Sequence, residues 1–327
     1  MNQKNKVQIT VDLENYQEAR LDKWLSLNLE NISRTQITDL IDRGLILVNS
    51  KNEKTSYKVK INDKIEITLP DLVTTELKPA EIDLEILFQD DDLLVVNKPS
   101  GLVVHPAAGH QDDTLVNALL FHVDHLSMKN EKRPGIVHRI DKETSGLLVV
   151  AKNDYTHEKL SEQFKKKTTH RIYYAVVEGK LRQAQGTVQS YLARHVNDRK
   201  KYSSLRENGK IIQKWRGDID HAKWAITHYQ CLQSVDQQKH LVRLQLETGR
   251  THQIRIHLSE QGLVIVGDLL YGYNSKKYQA EDLKRFYLHA AELGFAHPRT
   301  QQNMMFKTPW PSEDLIRLKN WGFDVDL

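Results

Sequence analysis

A lone carboxylate ahead of a buried strand needs a reason. In His138-Arg139-Ile140-Asp141-Lys142-Glu143-Thr144-Ser145-Gly146, Asp141 stands between two cations, just before the apolar run Leu147-Leu148-Val149-Val150-Ala151. Burial raises a carboxylate's pKa and a nearby guanidinium lowers it, so the setting suits a permanently ionised nucleophile. The same aspartate could equally form a turn or cap a helix. A second polar stretch, Glu247-Thr248-Gly249-Arg250-Thr251-His252-Gln253-Ile254-Arg255-Ile256-His257, ends a strand at Thr248-Gly249 and opens a helix near Thr251. His252 and His257 are five residues apart, not the four that put two histidines on one helical face, and no H-E-x-x-H is present. No metal is expected there. Asp90-Asp91-Asp92 reads as an acidic loop leading into a strand and not as a metal clamp.

The elements that must position these residues fall into two groups. From Arg20 to Ile67, Leu21, Trp24, Leu25 and Leu29 have helical spacing. Ser33 then reads as the N-cap of a second helix carrying Ile37, Leu40 and Ile41, which Gly44 ends. A strand follows at Leu45–Asn49, a turn at Asn49-Ser50-Lys51-Asn52, and a last strand at Lys64–Leu69. Residues 70–80 lack periodicity and are bracketed by prolines, as a linker would be. Beyond them, strands are expected at Leu84–Phe88 and Leu93–Asn97. A type I turn at Lys98-Pro99-Ser100-Gly101 should lead into a further strand at Leu102–His105. Helices are expected at about 114–123 and 154–166, and strands at about 171–177, 225–230 and 241–247. This mixed order predicts an α+β fold with a largely antiparallel sheet.

Composition narrows the partners. The 327 residues are 28% charged and 39% hydrophobic, and no apolar run is long enough to span a bilayer. The opening Met1-Asn2-Gln3-Lys4-Asn5-Lys6 lacks the apolar core of a secretory signal, so a cytoplasmic protein with no membrane partner is expected. The single Cys231 rules out an intramolecular disulfide and a multi-cysteine zinc site. Net charge is only +4, but from Lys165 to Arg216 fourteen Lys and Arg face three acids, a local surplus of +11. Tyr173, Tyr174, Tyr191 and Tyr202 are interleaved with these cations. That pattern predicts a polyanion-binding surface.

The motifs also resemble a family. HRIDKETSG at 138–146 resembles the catalytic-loop signature of the RluA/RluD group of RNA pseudouridine synthases, whose catalytic aspartate falls on Asp141. Asn97-Lys98-Pro99-Ser100-Gly101-Leu102 resembles the family's first signature. Arg171-Ile172-Tyr173-Tyr174-Ala175 resembles a strand whose tyrosine, here Tyr173, stacks on the target base and has been proposed to accept a proton. In Thr248-Gly249-Arg250-Thr251-His252-Gln253-Ile254-Arg255, the arginine that pairs with the catalytic carboxylate falls on Arg255. Arg139 falls on the arginine that enters the space left by the flipped nucleotide. Tyr287-Leu288-His289-Ala290 and Phe306-Lys307-Thr308-Pro309 resemble the family's C-terminal strands. The N-terminal module resembles the S4 RNA-binding domain, with Arg34, Arg43, Lys51, Lys54 and Lys58 as candidate phosphate contacts.

The resemblance implies the pseudouridine synthase fold, with helices flanking a mixed, largely antiparallel sheet, plus a small α+β S4 domain. It implies an S4-like domain over 1–70 (core about 18–67), a linker over 71–80 and a catalytic domain over 81–327. The implied enzyme is a monomer that isomerises uridines without cofactor or metal. The RluD subgroup is the nearest match, with large-subunit ribosomal RNA, in precursor form, as its partner. Attack of Asp141 on C1′ and removal of a ribose proton are not distinguished. Alternatives are an S4-type RNA-binding or ribosome-assembly factor, a synthase of the same family acting on transfer RNA, and a nucleoside N-glycosidase. Two departures stand out: Ile140 replaces a commoner leucine, and Glu207 to His221 is longer than the family pattern.

Overall fold

In the computed structural model, residues 6–12, 18–29, 34–68, 77–107, 109–131, 133–198, 200–273, 283 and 285–324 are described. They belong to two compact units, residues 1–76 and 77–327. The first unit contains β1 (Lys6–Thr10), α1 (Leu21–Asn28), α2 (Arg34–Asp42), β2 (Ile46–Val48) and β3 (Lys64–Thr68). Its sheet runs β1-β3-β2, all antiparallel. Leu21, Trp24 and Leu25 of α1 pack with Ile37 and Ile41 of α2 over Ile65 and Ile67 of β3. The helix spacing and the strand alternation therefore converge on one core. Strand β1 is not among the expected elements, although Lys6-Val7-Gln8-Ile9-Thr10 alternates polar and apolar residues as a strand does; it is a short edge strand with Val7 40% exposed. The Ser33 cap and most of the expected linker lie outside the described residues.

The second unit begins with β4 (Glu85–Gln89), β5 (Leu93–Lys98), α3 (Leu115–His122), β6 (Ser145–Ala151), α4 (Asp154–Lys166), β7 (His170–Glu178) and β8 (Gln185–Arg194). It continues with β9 (Tyr202–Ser204), β10 (Arg206–Glu207), β11 (Lys210–Ile211), β12 (Ala222–Val235), β13 (Lys239–Leu246) and α5 (Gln253–Glu260). β14 (Val264–Ile265), β15 (Leu288–Ala296), β16 (Asn303–Lys307) and α6 (Ser312–Asn320) complete it. The large sheet runs β4-β5-β6-β15-β7-β13-β12-β8-β9, with β14 on β7 and β16 on β15. Every pairing is antiparallel except β6 with β15, which is parallel. The sheet is mixed, as an α+β chain with one long crossover requires.

Strand β6 shows why the sheet is the scaffold of the site. All seven of its residues are buried. Leu147 and Val149 pack with Leu160 of α4 and Leu293 of β15, while Leu148 and Val150 pack with Leu115 and Leu119 of α3. A strand covered on both faces reads as a continuous apolar run, and each buried leucine contributes about 1.5–3 kcal/mol. Gly146 has φ +115, and a Cβ there would run into the Ala290 carbonyl on the parallel neighbour. Glycine at this position allows β6 and β15 to close just after the Asp141 loop.

The expected strand at Leu102–His105 is absent. Its backbone is used otherwise: Gly101 N–H donates to the Lys142 carbonyl, Leu102 O accepts from Lys98 Nζ, and Val103 bridges to Thr114. These nonlocal bonds outweigh the strand preference of the short apolar run. Helix α5 starts at Gln253 and not at Thr251, because His252 adopts a left-handed conformation, φ 55. Strands β8, β9, β10, β11 and β14 and helix α6 are additions to the expected elements, while β15 and β16 fall where the C-terminal resemblance places strands.

Candidate active site

The loop carrying Asp141 is held from three sides. His138 Nε2 accepts a hydrogen bond from the Val149 N–H of β6 (3.1 Å), and its ring stacks on Phe164 of α4 (4.5 Å). Burial, then the charge of Arg171, pulls this imidazole down to about 3, so it serves as a neutral acceptor. Ser100 Oγ donates to the Glu143 carbonyl (2.8 Å). Lys98 is fully buried, and its Nζ donates to the carbonyls of Pro99 (2.7 Å), Leu102 (2.9 Å) and Lys142 (2.9 Å). Three acceptors match the three protons of an ammonium, although burial lowers its pKa to about 7. The turn after β5 is thus tied to the residue following Asp141.

Arg255 on α5 supplies the expected counter-ion. Its Nη1 lies 3.0 Å from Asp141 Oδ2, a pair formed across 114 positions of sequence. The guanidinium is also gripped by Asp268, from Nε to Oδ2 (2.6 Å) and from Nη2 to Oδ1 (2.9 Å). Asp268 Oδ1 in turn accepts from the N–H groups of Leu270 and Tyr271. Phe286 and Tyr271 cover the guanidinium, with ring centroids 4.4 and 4.9 Å from its carbon. Burial opposes the charge of Arg255, but the Asp268 hydrogen bonds and the charge of Asp141 outweigh it and raise its pKa. One face of the fork is fully committed to Asp268. The other presents a single N–H to Asp141.

A cleft opens over Asp141, walled by Ile140, Tyr173, Leu246 and Leu288 and edged by Arg139, Arg250 and His252. Tyr173 is buried on β7, between Leu244 of β13 and Ala290 of β15. Burial, joined by the charge of Asp141, raises its pKa despite Arg171, so the ring carries a neutral phenol. His252 lies with Nε2 4.0 Å from Asp141 Oδ2 and Nδ1 2.8 Å from Tyr271 Oη. The Tyr271 oxygen already accepts from Tyr202 N–H (3.0 Å), and its pKa is pushed up to about 12 by burial, so its one proton goes to His252 Nδ1. Burial lowers the His252 pKa as well, leaving a neutral ring whose Nε2–H faces the carboxylate.

Beside the cleft, and sharing Arg139, Tyr173, Gly249 and Arg250 with it, is a cavity of about 430 Å³. Six cations line it: Arg133, Arg139, Lys165, Lys167, Arg171 and Arg250, against the single acid Glu247. Arg139 is exposed and forms no ion pair among the described residues, so the alternative of a bridge to Asp141 or Glu143 is not realised. This concentration of charge suits a phosphodiester backbone.

Asp141 and Arg139 on one loop, Tyr173 on β7 and Arg255 on α5 are thus brought together from three separate segments. His257 is not: it is buried, bonded to Thr227 Oγ1 (2.8 Å) and Ser190 Oγ (3.1 Å), and pulled down to about 4 by burial. Asp90 and Asp92 are used locally, Asp90 by the Asp92 and Leu93 N–H groups and Asp92 by a two-pronged bond to Arg299. In the N-terminal unit, Arg43 pairs with Asp39 (3.3 Å) and Lys58 with Glu18 (3.2 Å), while Lys51 and Lys54 are exposed. The Arg34 side chain lies outside the described residues.

Sequence reasoning misses Asp268, Lys98, His252 and Tyr271 as parts of the site. Asp268 carries a usable signal: a single acid directly following the apolar run Leu263–Gly267, the mirror image of Asp141 preceding its own. Gly267 has φ +87, and a Cβ there would meet the Arg285 carbonyl, which places the turn that aims Asp268 inward.

Known proteins match this arrangement. The family model described as RNA pseudouridylate synthase matches residues 92–260, and that of the S4 domain matches residues 19–65. The chain is 41% identical over 315 residues to a protein of Bacillus subtilis (strain 168) called uncharacterized RNA pseudouridine synthase YlyB, covering 96% of this chain and 97% of that one. It is 41% identical over 309 residues to ribosomal large subunit pseudouridine synthase D of Zymomonas mobilis, covering 92% and 93%. Among solved structures, human RNA pseudouridylate synthase domain containing 4 is similar with a TM-score of 0.55 and 26% identity, over 73% of this chain and 94% of that chain. Matches that span both units and include the Asp141 loop and the Arg255 helix decide the matter: this chain belongs to the RNA pseudouridine synthases, as an S4-bearing enzyme of the RluA/RluD kind.

Proposed function

We propose that this enzyme converts specific uridines of large-subunit ribosomal RNA to pseudouridine, as a monomer in the cytoplasm. The observation that carries the substrate is the 41% identity, over 92% of the chain, to a relative named ribosomal large subunit pseudouridine synthase D. Residues 1–70 would serve as the S4 RNA-binding domain and 81–327 as the catalytic domain, joined by 71–80. Arg43, Lys51, Lys54 and Lys58, with Arg34, are the proposed phosphate contacts of the former.

In this reading RNA lies along the cation-lined cavity, and the target uridine flips into the cleft over Asp141. Arg139, with no ion pair to break, fills the gap in the stack. Tyr173 offers its ring to the uracil, a contact worth about 1–3 kcal/mol per base. Asp141 then promotes cleavage of the C1′–N1 bond, by attack at C1′ or by taking a ribose proton. The uracil turns, C5 bonds to C1′, the C5 proton leaves and N1 gains one, so the reaction is a balanced isomerisation. Arg255 orients Asp141 throughout, itself held by Asp268. As a phenol with a raised pKa, Tyr173 is better suited to stacking than to starting as a base.

The test is carbodiimide mapping of RNA from cells lacking the protein, complemented with wild type or Asp141→Asn. Loss of one or more stops in large-subunit ribosomal RNA, restored only by wild type, is expected. Loss confined to transfer RNA would move the substrate there. No change in either RNA would refute the enzymatic assignment in that cell.

A further inference from the structure

We propose that the segment 207–221 is an RNA-binding extension of the active-site cleft, with Trp215 as a stacking platform for an unpaired base. The proposal rests on the reading above that the substrate is RNA. The segment is built and not merely inserted. It opens with the β10–β11 hairpin, whose Asn208-Gly209 turn has φ +50 and +76, as a type I′ turn requires. Leu205, Ile212, Ile219 and Trp224 then pack on Tyr191, Ala193 and Ala222 as a small core of its own.

Tyr191, fully buried on β8, sets the orientation of Trp215. Its hydroxyl accepts from Arg216 N–H (2.7 Å) and donates to the Gly217 carbonyl (2.6 Å), clamping the backbone on the far side of Trp215. The Trp215 ring stacks on Tyr191 (5.7 Å, 17° between planes) and meets the edge of Trp224 (5.9 Å). One indole face is thus occupied and the residue remains 55% exposed. With one face packed on Tyr191 and the residue half exposed, Trp215 offers a rigid aromatic surface on which a nucleobase can stack. The surroundings match a polyanion. Lys200, Lys210, Lys214 and Lys223 have no ion-pair partner among the described residues. Of the nearby acids, Glu207 is taken by Arg216 (3.0 Å), and Asp218 and Asp220 follow beyond Gly217.

The patch is continuous with the cleft. Arg250, on the rim over Asp141, donates from Nε to the Trp224 carbonyl (3.2 Å), and Tyr202 N–H bonds the Tyr271 hydroxyl that orients His252. These contacts connect the rim of the cleft at Arg250 to Trp224, whose ring meets Trp215.

The test uses the full chain in an Asp141→Asn background, to prevent turnover, and a labelled single-stranded 12-mer of uridylate at fixed salt. Trp215→Ala should weaken binding by roughly tenfold, the scale of removing one base stack, and Trp215→Phe should recover most of it. Lys210→Ala with Lys214→Ala should weaken binding and lower the salt slope by about 0.7 for each phosphate that is no longer neutralised. Unchanged affinity in Trp215→Ala and in the lysine pair would overturn the proposal, whatever their melting temperatures. Weakened binding in Trp215→Ala without rescue by Trp215→Phe would also overturn it, since that outcome marks a packing role. The reading it rests on fails separately, by absence of product from the wild-type enzyme.

Discussion

Arg255 joins two carboxylates that differ in almost every respect. Asp268 is 1% exposed, takes two of the guanidinium's N–H directions and is itself tied to two backbone N–H groups. Asp141 takes one N–H at 3.0 Å, is only partly buried and faces a cleft. The same cation is an anchor at one end and an orienting contact at the other. A buried ion pair with complete hydrogen bonding is rigid, and breaking it strands a charge. A carboxylate held at one point remains available for chemistry. The site therefore separates holding from reacting, and places both on one arginine.

This division can be broken most sharply at Asp141. Asp141→Asn should reduce pseudouridine formation by about 10³-fold or more while RNA affinity and melting temperature stay close to wild type, as measured by tritium release from C5-labelled RNA and by thermal melts. Asp268→Ala should do the converse. It leaves the Arg255 charge buried with a single partner, so unfolding titrations should show a loss of about 3–5 kcal/mol, with activity falling as a consequence. Equal stability costs for the two substitutions would undo the comparison.

Acid probes the holding part alone. His257 and His289 are fully buried, and burial pulls each down to about 4. Below pH 6.5 the unfolded chain takes protons that the folded one refuses. Stability is therefore complete above that value and falls toward pH 4 by about 1 kcal/mol per pH unit for each histidine. The double variant His257→Gln and His289→Gln should reduce this slope by about 2 kcal/mol per pH unit in denaturant titrations between pH 6.5 and 4, the remainder coming from His105 and His138, which burial also holds low. The smallest effect is expected in the S4 unit, where the proposed phosphate contacts Lys51 and Lys54 are single exposed cations. Lys51→Ala should weaken RNA binding only a few-fold, equally for different sequences, and reduce the salt slope by about 1 in filter-binding assays.

How much of this is legible without the fold depends on how local the information is. The seven buried residues of β6 are visible as an unbroken apolar run, and α4 emerges at Asp154–Lys166, where its periodicity puts it. Strand β1 is missed although its signal is local: Lys6-Val7-Gln8-Ile9-Thr10 alternates polar and apolar residues with the period of a strand. Leu102–His105 reads falsely as a strand because its apolar, β-branched run is real, while the groups that claim its backbone, Lys98 Nζ and Thr114, act through the fold. Asp268 and Tyr271 escape notice for the same reason. Their roles exist only once the turn after β14 is set against α5.

The chain by itself determined that Asp141 sits on a short polar loop ahead of a central strand, that a basic and aromatic surface follows it, and that an S4-like module precedes it. Residue type, spacing and hydrophobic period are properties of neighbours in sequence, and these features depend on nothing else. Only the tertiary structure decided that Arg255 divides itself between Asp141 and Asp268, that Lys98 binds the loop from within, and that Tyr191 stacks on Trp215 and clamps the backbone after it. Those outcomes rest on hydrogen bonds and ion pairs between segments far apart in the chain. Their geometry comes from sheet pairings such as β6 with β15, which no local pattern encodes.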